Sequence, residues 1–124
     1  MVLTNVKVIH ASSSGRPHLD PELEHLAGEL KSVFKYTSYR LLKVETMKLP
    51  FQNRGKVKLP GGGNLAATPL SGTGNRIRYL VAIEESGKLV FSTEIMLDRN
   101  RSITIGGPRH KKGYLLFNIS GKVL

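Results

Sequence analysis

Four histidines, nine carboxylates and several glycine-flanked basic runs are the residues of this chain with chemistry to offer. The histidines are His10, His18, His25 and His110. None pairs in a His-x-x-x-His or His-Glu-x-x-His spacing, so no zinc site is written in the sequence. Acid–base catalysis needs two facing carboxylates or a carboxylate beside a histidine. Asp20, Glu22, Glu24 and Glu29 are explained by the start and solvated face of a helix, and Glu84-Glu85 by a turn. Glu45 and Glu94 fall on outward positions of strands, and Asp98 opens a turn. No serine sits in a Gly-x-Ser-x-Gly elbow. Cysteine is absent, which excludes disulfides, thiolate metal sites and cysteine nucleophiles. The expectation is a non-enzymatic protein with no cofactor, metal or catalytic residue. A cleft holding a carboxylate–histidine pair would instead favour a small hydrolase.

Glycine-rich stretches invite a phosphate-loop reading at Gly61-Gly62-Gly63 and Gly72-Thr73-Gly74. Both lack the following helix that such loops require. Gly106-Gly107-Pro108-Arg109-His110-Lys111-Lys112-Gly113 combines backbone freedom with three full positive charges. Two successive glycines can present amides as an anion nest; a hairpin loop solubilised by lysines accounts for the same residues. Lys56, Lys58, Arg76 and Arg78 alternate on outward strand faces. The candidate partner- or anion-binding set is therefore Gly106, Gly107, Arg109, His110, Lys111 and Lys112, with Lys56, Lys58, Arg76 and Arg78. Phe34, Tyr36, Tyr39, Tyr79, Phe91 and Phe117 read as inward or beside the helix, leaving few platforms for stacking bases.

The elements that must position these residues are mostly strands. Ile77, Tyr79, Val81 and Ile83 alternate with outward residues, and after Glu85-Ser86-Gly87 the pattern returns at Leu89, Phe91, Thr93, Ile95 and Leu97. Val2, Thr4, Val6 and Val8 read as a first strand ending near His10. Tyr36 to Leu49 reads as a long strand with a bulge or two-sided burial near Leu41-Leu42. One helix interrupts the pattern. Asp20 reads as its N-cap and Pro21 as its first residue. Leu23, Leu26, Ala27, Leu30, Val33 and Phe34 make one apolar stripe at a 3.6-residue period, predicting a helix from Pro21 to about Phe34. Links too short for crossover helices predict a mostly antiparallel sheet. The fold class expected is mainly β: an antiparallel β-sandwich or flattened barrel of about eight strands with one packed α-helix. The 124 residues read as a single domain, 1–124.

The formal charge is +10, from 19 Lys and Arg against 9 Asp and Glu. Such an excess favours acidic partners. No stretch approaches the ~18 apolar residues of a membrane span. The N-terminus alternates like a strand and lacks the apolar run of a leader. Two readings stand: a cytoplasmic protein, or a mature exported domain whose leader was replaced by a start Met.

Phe34-Lys35-Tyr36-Thr37-Ser38-Tyr39-Arg40-Leu41-Leu42, Leu59-Pro60-Gly61-Gly62 and Ile105-Gly106-Gly107-Pro108 leading to Gly113-Tyr114-Leu115-Leu116 together resemble small uncharacterised β-rich domains of exported bacterial proteins. The resemblance covers most of the chain and implies an extracytoplasmic (periplasmic or exported) home and no catalytic residues. The function expected is an interaction or assembly module that binds an acidic protein surface, or self-associates, through its basic surface. The alternative is a nucleic-acid or polyanion-binding domain with weak binding; a small hydrolase is third.

Overall fold

Alternation at a period of two commits most of this chain to strands. The computed structural model, which describes residues 1–13 and 15–124, is 64% strand and 11% helical, with two sheets, one of them curled as a half-barrel. That is the expected class: mainly β, of sandwich or flattened-barrel type, with one helix. Among the described residues there are nine strands: β1 (Val2–Ser12), β2 (His18–Leu19), β3 (Ser38–Leu49), β4 (Gly55–Lys58), β5 (Asn64–Gly72), β6 (Arg76–Glu85), β7 (Lys88–Asp98), β8 (Ser102–His110) and β9 (Gly113–Val123). One sheet has the order β2-β3-β1-β9-β8 and the other β4-β5-β6-β7. The strand beyond the expected count is β2, only two residues long. It pairs with β3 in parallel, His18 opposite Ser38 and Leu19 opposite Tyr39.

By their contacts the residues form two compact units, Met1–Val6 with Glu45–Ile103 and Ile119–Leu124, and Lys7–Val44 with Thr104–Asn118. In the first, β4 to β7 form an antiparallel meander. Ser86 and Gly87 both have positive φ, the backbone of a two-residue turn whose twist suits a hairpin. Ile77, Tyr79, Val81 and Ile83 are buried as predicted. The Tyr79 hydroxyl and the Thr4 hydroxyl share a buried hydrogen bond of 2.8 Å. Gly121 leaves the space that this hydroxyl occupies, for a Cβ there would overlap it. Burial pushes the Tyr79 phenol up, and the Thr4 hydrogen bond offsets part of that.

In the second unit Ile9, Ala11, Leu23, Leu26, Leu30, Tyr39 and Leu116 form one apolar cluster. Leu26 and Leu30 are buried as the helical stripe requires. The helix itself departs from expectation. Pro21–Leu26 is a 3-10 helix, and only α1 (Ala27–Val33) is α-helical. The cause lies at Asp20, whose carboxylate does not cap the helix. One of its oxygens instead accepts from the Leu41 amide at 2.7 Å. Without a side-chain cap, the Asp20 carbonyl takes the Leu23 amide at 2.9 Å, the short-range bond that opens a 3-10 turn. Val33, expected on the stripe, is 62% exposed at the last residue of α1. At that end the Leu30 carbonyl accepts the Phe34 amide at 3.0 Å, and the buried Tyr39 hydroxyl lies within donating distance of the Phe34 and Leu30 carbonyls, at 2.9 and 3.1 Å, tying the helix end to β3. Glu29, expected on the solvated face, accepts the Thr104 amide at 3.0 Å.

Two strand expectations are also corrected. Burial along β3 alternates unbroken from Arg40 to Lys48, and Leu42 and Val44 are exposed, so the Leu41-Leu42 region is not buried on both sides. Phe91, predicted inward, is 44% exposed, although Leu97 on the same strand is buried, so the inward side of β7 is covered at one end and open at the other.

Candidate functional site

Strand β1 runs past His10, its expected end, to Ser12, and its buried side changes phase at Val8–Ile9, where both residues are buried. Ile9 and Ala11 point into the apolar cluster, which leaves His10 and Ser12 on the opposite face. On β3, Tyr39 joins the same cluster, so Ser38 and Arg40 turn the same way as His10 and Ser12. The parallel register sets His18 beside Ser38. These residues, with Gly15, Arg16 and Pro17, line an open cleft of ≈ 580 Å³.

Two guanidiniums, two imidazoles and two hydroxyls thus converge on one space. Arg16 and Arg40 are exposed, whereas Ser12 and Ser38 are nearly buried. His18 is oriented by Asp20, its Nε2 lying 2.5 Å from a carboxylate oxygen. Asp20 is in turn held by the Leu41 amide. The His18 hydrogen bond holds the Asp20 carboxyl below its ordinary value; burial opposes this, and the Leu41 amide and the Arg40 charge add to it. The lining holds two arginines and no carboxylate, so it is net positive, and both arginines are exposed.

His10 links the cleft to the basic run singled out in the sequence. Its Nε2 lies 3.0 Å from the His110 carbonyl oxygen, and the two rings meet edge to face at 5.5 Å. The expected glycine loop is not a loop. Gly106, Gly107, Arg109 and His110 belong to β8, and only Lys111 and Lys112 form the turn into β9. Neither Gly106 nor Gly107 has a positive φ, so the anion nest is absent. Gly107 is needed for packing: a Cβ there would overlap the Phe117 ring and lie 2.9 Å from the Leu115 carbonyl. Lys111 adopts the left-handed backbone, φ 52°. Arg109 lies over the Tyr114 ring, 5.9 Å from its centroid, a cation–π contact.

The other predicted cations are exposed as expected, but they do not gather. Lys56 is in register with Ala66 and, through it, Ala82. Arg78 lies four residues along β6 from that point, roughly 13 Å at strand spacing. Arg76 is paired with Asp98 at 2.8 Å, and Arg78 faces Glu94 at 3.9 Å, so their charge is largely met within the sheet.

Sequence reasoning named His10 and His18 only to set them aside, and missed Arg16, Arg40, Ser12 and Ser38. Alternation through His10, Ala11 and Ser12, and through Ser38, Tyr39 and Arg40, carried a signal for four of the six. The parallel contact that adds His18 is two residues long and has no sequence signature. Among the described residues no cluster of three or more histidines and carboxylates is placed to hold a metal. No helix of the described residues is long and apolar enough to cross a membrane. Comparison with protein-family models, with curated proteins and with solved structures finds no match.

Proposed function

We propose that this chain is a non-enzymatic interaction module that takes an acidic group of a partner protein, an Asp or Glu side chain or a C-terminal carboxylate, in the cleft between Arg16 and Arg40. The observation that carries the reading is the convergence of both arginines with His10 and His18 on one open space. The hydrogen bond from His10 to the His110 backbone extends that basic surface toward the Lys111-Lys112 turn. A guanidinium offers a planar fork that matches a carboxylate, and the Ser12 and Ser38 hydroxyls supply further donors. The net charge of +10 steers such a partner toward the protein.

The test is isothermal titration with a glutamate-rich peptide, in parallel with heparin and single-stranded RNA. Peptide binding that weakens about 10–100-fold in Arg16→Ser or in Arg40→Ser alone, and further in the double variant, supports the reading, since hydrogen bonds to charged groups contribute about 1.5–3 kcal/mol each. Binding to RNA or heparin alone, falling steeply with salt, moves the protein to the polyanion class.

One observation favours hydrolysis as a second reading: His18, held by Asp20, lines the same cleft as two serines. In that chemistry His18 would take a proton from Ser12, Ser38 or water, and Asp20 would fix the imidazole's tautomer. Turnover of aryl esters or phosphate esters that disappears in His18→Ala would place the protein there. The exported location implied by the resemblance is a proposal of the same standing, tested by fractionating cells that express the full gene.

A further inference from the structure

The two outer strands of the four-stranded sheet differ sharply. β4 is four residues long and carries Lys56 and Lys58 on its exposed face, a short charged edge that resists pairing. β7 is eleven residues long and exposes Leu89, Val90 and Phe91 at 64%, 58% and 44%, with Met96 at 48% further along. Among the described residues β7 is bonded to β6 alone. Its far side therefore offers unpaired backbone amides and carbonyls beside an apolar row.

The charges along β7 select the partner. Lys88 stands at its start, Glu94 past its middle and Asp98 at its end. A second copy laid antiparallel, with a two-fold axis near Thr93, brings each Lys88 end to the other's Asp98 end. Phe91 then falls near Ile95, and Val90 near Met96. A parallel copy would set like charges together. The whole protein is strongly cationic, but the Arg76–Asp98 hairpin holds three cationic and four acidic side chains, so its two copies do not repel. The register shift at Ile83/Glu84, which leaves Val90 outside the β6 ladder, makes a slipped pairing a poorer fit.

We propose that β7 is a self-association edge, pairing antiparallel with β7 of a second copy to join the two four-stranded sheets. This is an isologous contact of two-fold symmetry made by strand addition, and it is independent of the Arg16–Arg40 cleft. The test is sedimentation of the whole chain over a concentration series. Wild-type protein is expected to dimerise, and Leu89→Lys with Val90→Lys to remain monomeric with an unchanged circular dichroism melt, since both side chains are already exposed. Because the chain has no cysteine, Thr93→Cys reports the axis directly. Under mild oxidation it should cross-link faster than Lys56→Cys on the opposite edge. A wild-type protein that is monomeric throughout overturns the proposal. So does a dimer indifferent to the double lysine variant, or equal cross-linking at the two positions.

Discussion

Replacing Gly107 with alanine separates a packing glycine from an anion-binding one. In the strand geometry of β8 the added Cβ would run into the Phe117 ring and stand 2.9 Å from the Leu115 carbonyl. Phe117 is fully buried, so its ring cannot swing into solvent, and the Leu115 carbonyl is backbone. Relief must come from a shift of β8 against β9, and such overpacking costs about 1–3 kcal/mol. Removing the glycine's excess backbone freedom returns roughly 0.5–1 kcal/mol. Since neither the buried ring nor the backbone carbonyl can yield, the upper part of the overpacking cost, about 2–3 kcal/mol, applies. The net expectation is a loss of about 1–2.5 kcal/mol, equivalent to a melting-temperature drop of about 3–15 °C for a chain of this length. Urea unfolding of wild type, Gly107→Ala and Gly28→Ala measures it. Gly28 lies in α1, where a Cβ meets nothing within 4 Å, so its substitution should stabilise by roughly 0.5–1 kcal/mol. A Gly107→Ala protein as stable as wild type, with weaker binding of acidic peptide, would refute the packing argument and restore the nest.

Leu30→Ala should cost about 2–5 kcal/mol, because Leu30 is fully buried in the cluster of Ile9, Tyr39 and Leu116; an unchanged melt would remove α1 from the core. Tyr79→Phe leaves the buried Thr4 hydroxyl without its partner and should cost about 1–3 kcal/mol, measured by the same unfolding. Asp20 has a native pKa below its ordinary value of 3.8. Its contribution to stability is therefore complete above that value and is lost as pH falls through the lower native one. Asp20→Asn should be less stable than wild type near neutrality and converge on it in acid; a constant gap from neutrality to strong acid would show that the carboxylate's charge is irrelevant.

The strands were readable because each side chain's address is set by its neighbours two residues away. Val57, Tyr79 and Val81 needed only alternation to be placed. Phe91 defeated the same rule, since alternation tells which face a residue occupies but not whether anything covers that face. The helix was legible as an apolar stripe and misread in its first turns. The sequence signal for a cap, Asp followed by Pro, does not record that the Leu41 amide, 21 residues away, competes for the same carboxylate. The cleft was hidden for a related reason. His10, His18, Ser38 and Arg40 come from three strands, and only the order of those strands in the sheet makes them neighbours. The predicted basic loop failed locally, because glycine's role at position 107 is decided by an aromatic ring on the next strand.

The central claim is that acidic groups bind between Arg16 and Arg40. It is tested most directly by titrating 15N-labelled protein with a glutamate-rich peptide and mapping the amide shifts. The account predicts saturable shifts confined to His10–Ser12, Arg16–Leu19, Ser38–Arg40 and the Lys111-Lys112 turn, absent in Arg16→Ser with Arg40→Ser. Shifts that scatter over the lysines of β4 and the Arg76–Arg78 region and survive that double substitution would contradict it, leaving only diffuse attraction to a cationic surface.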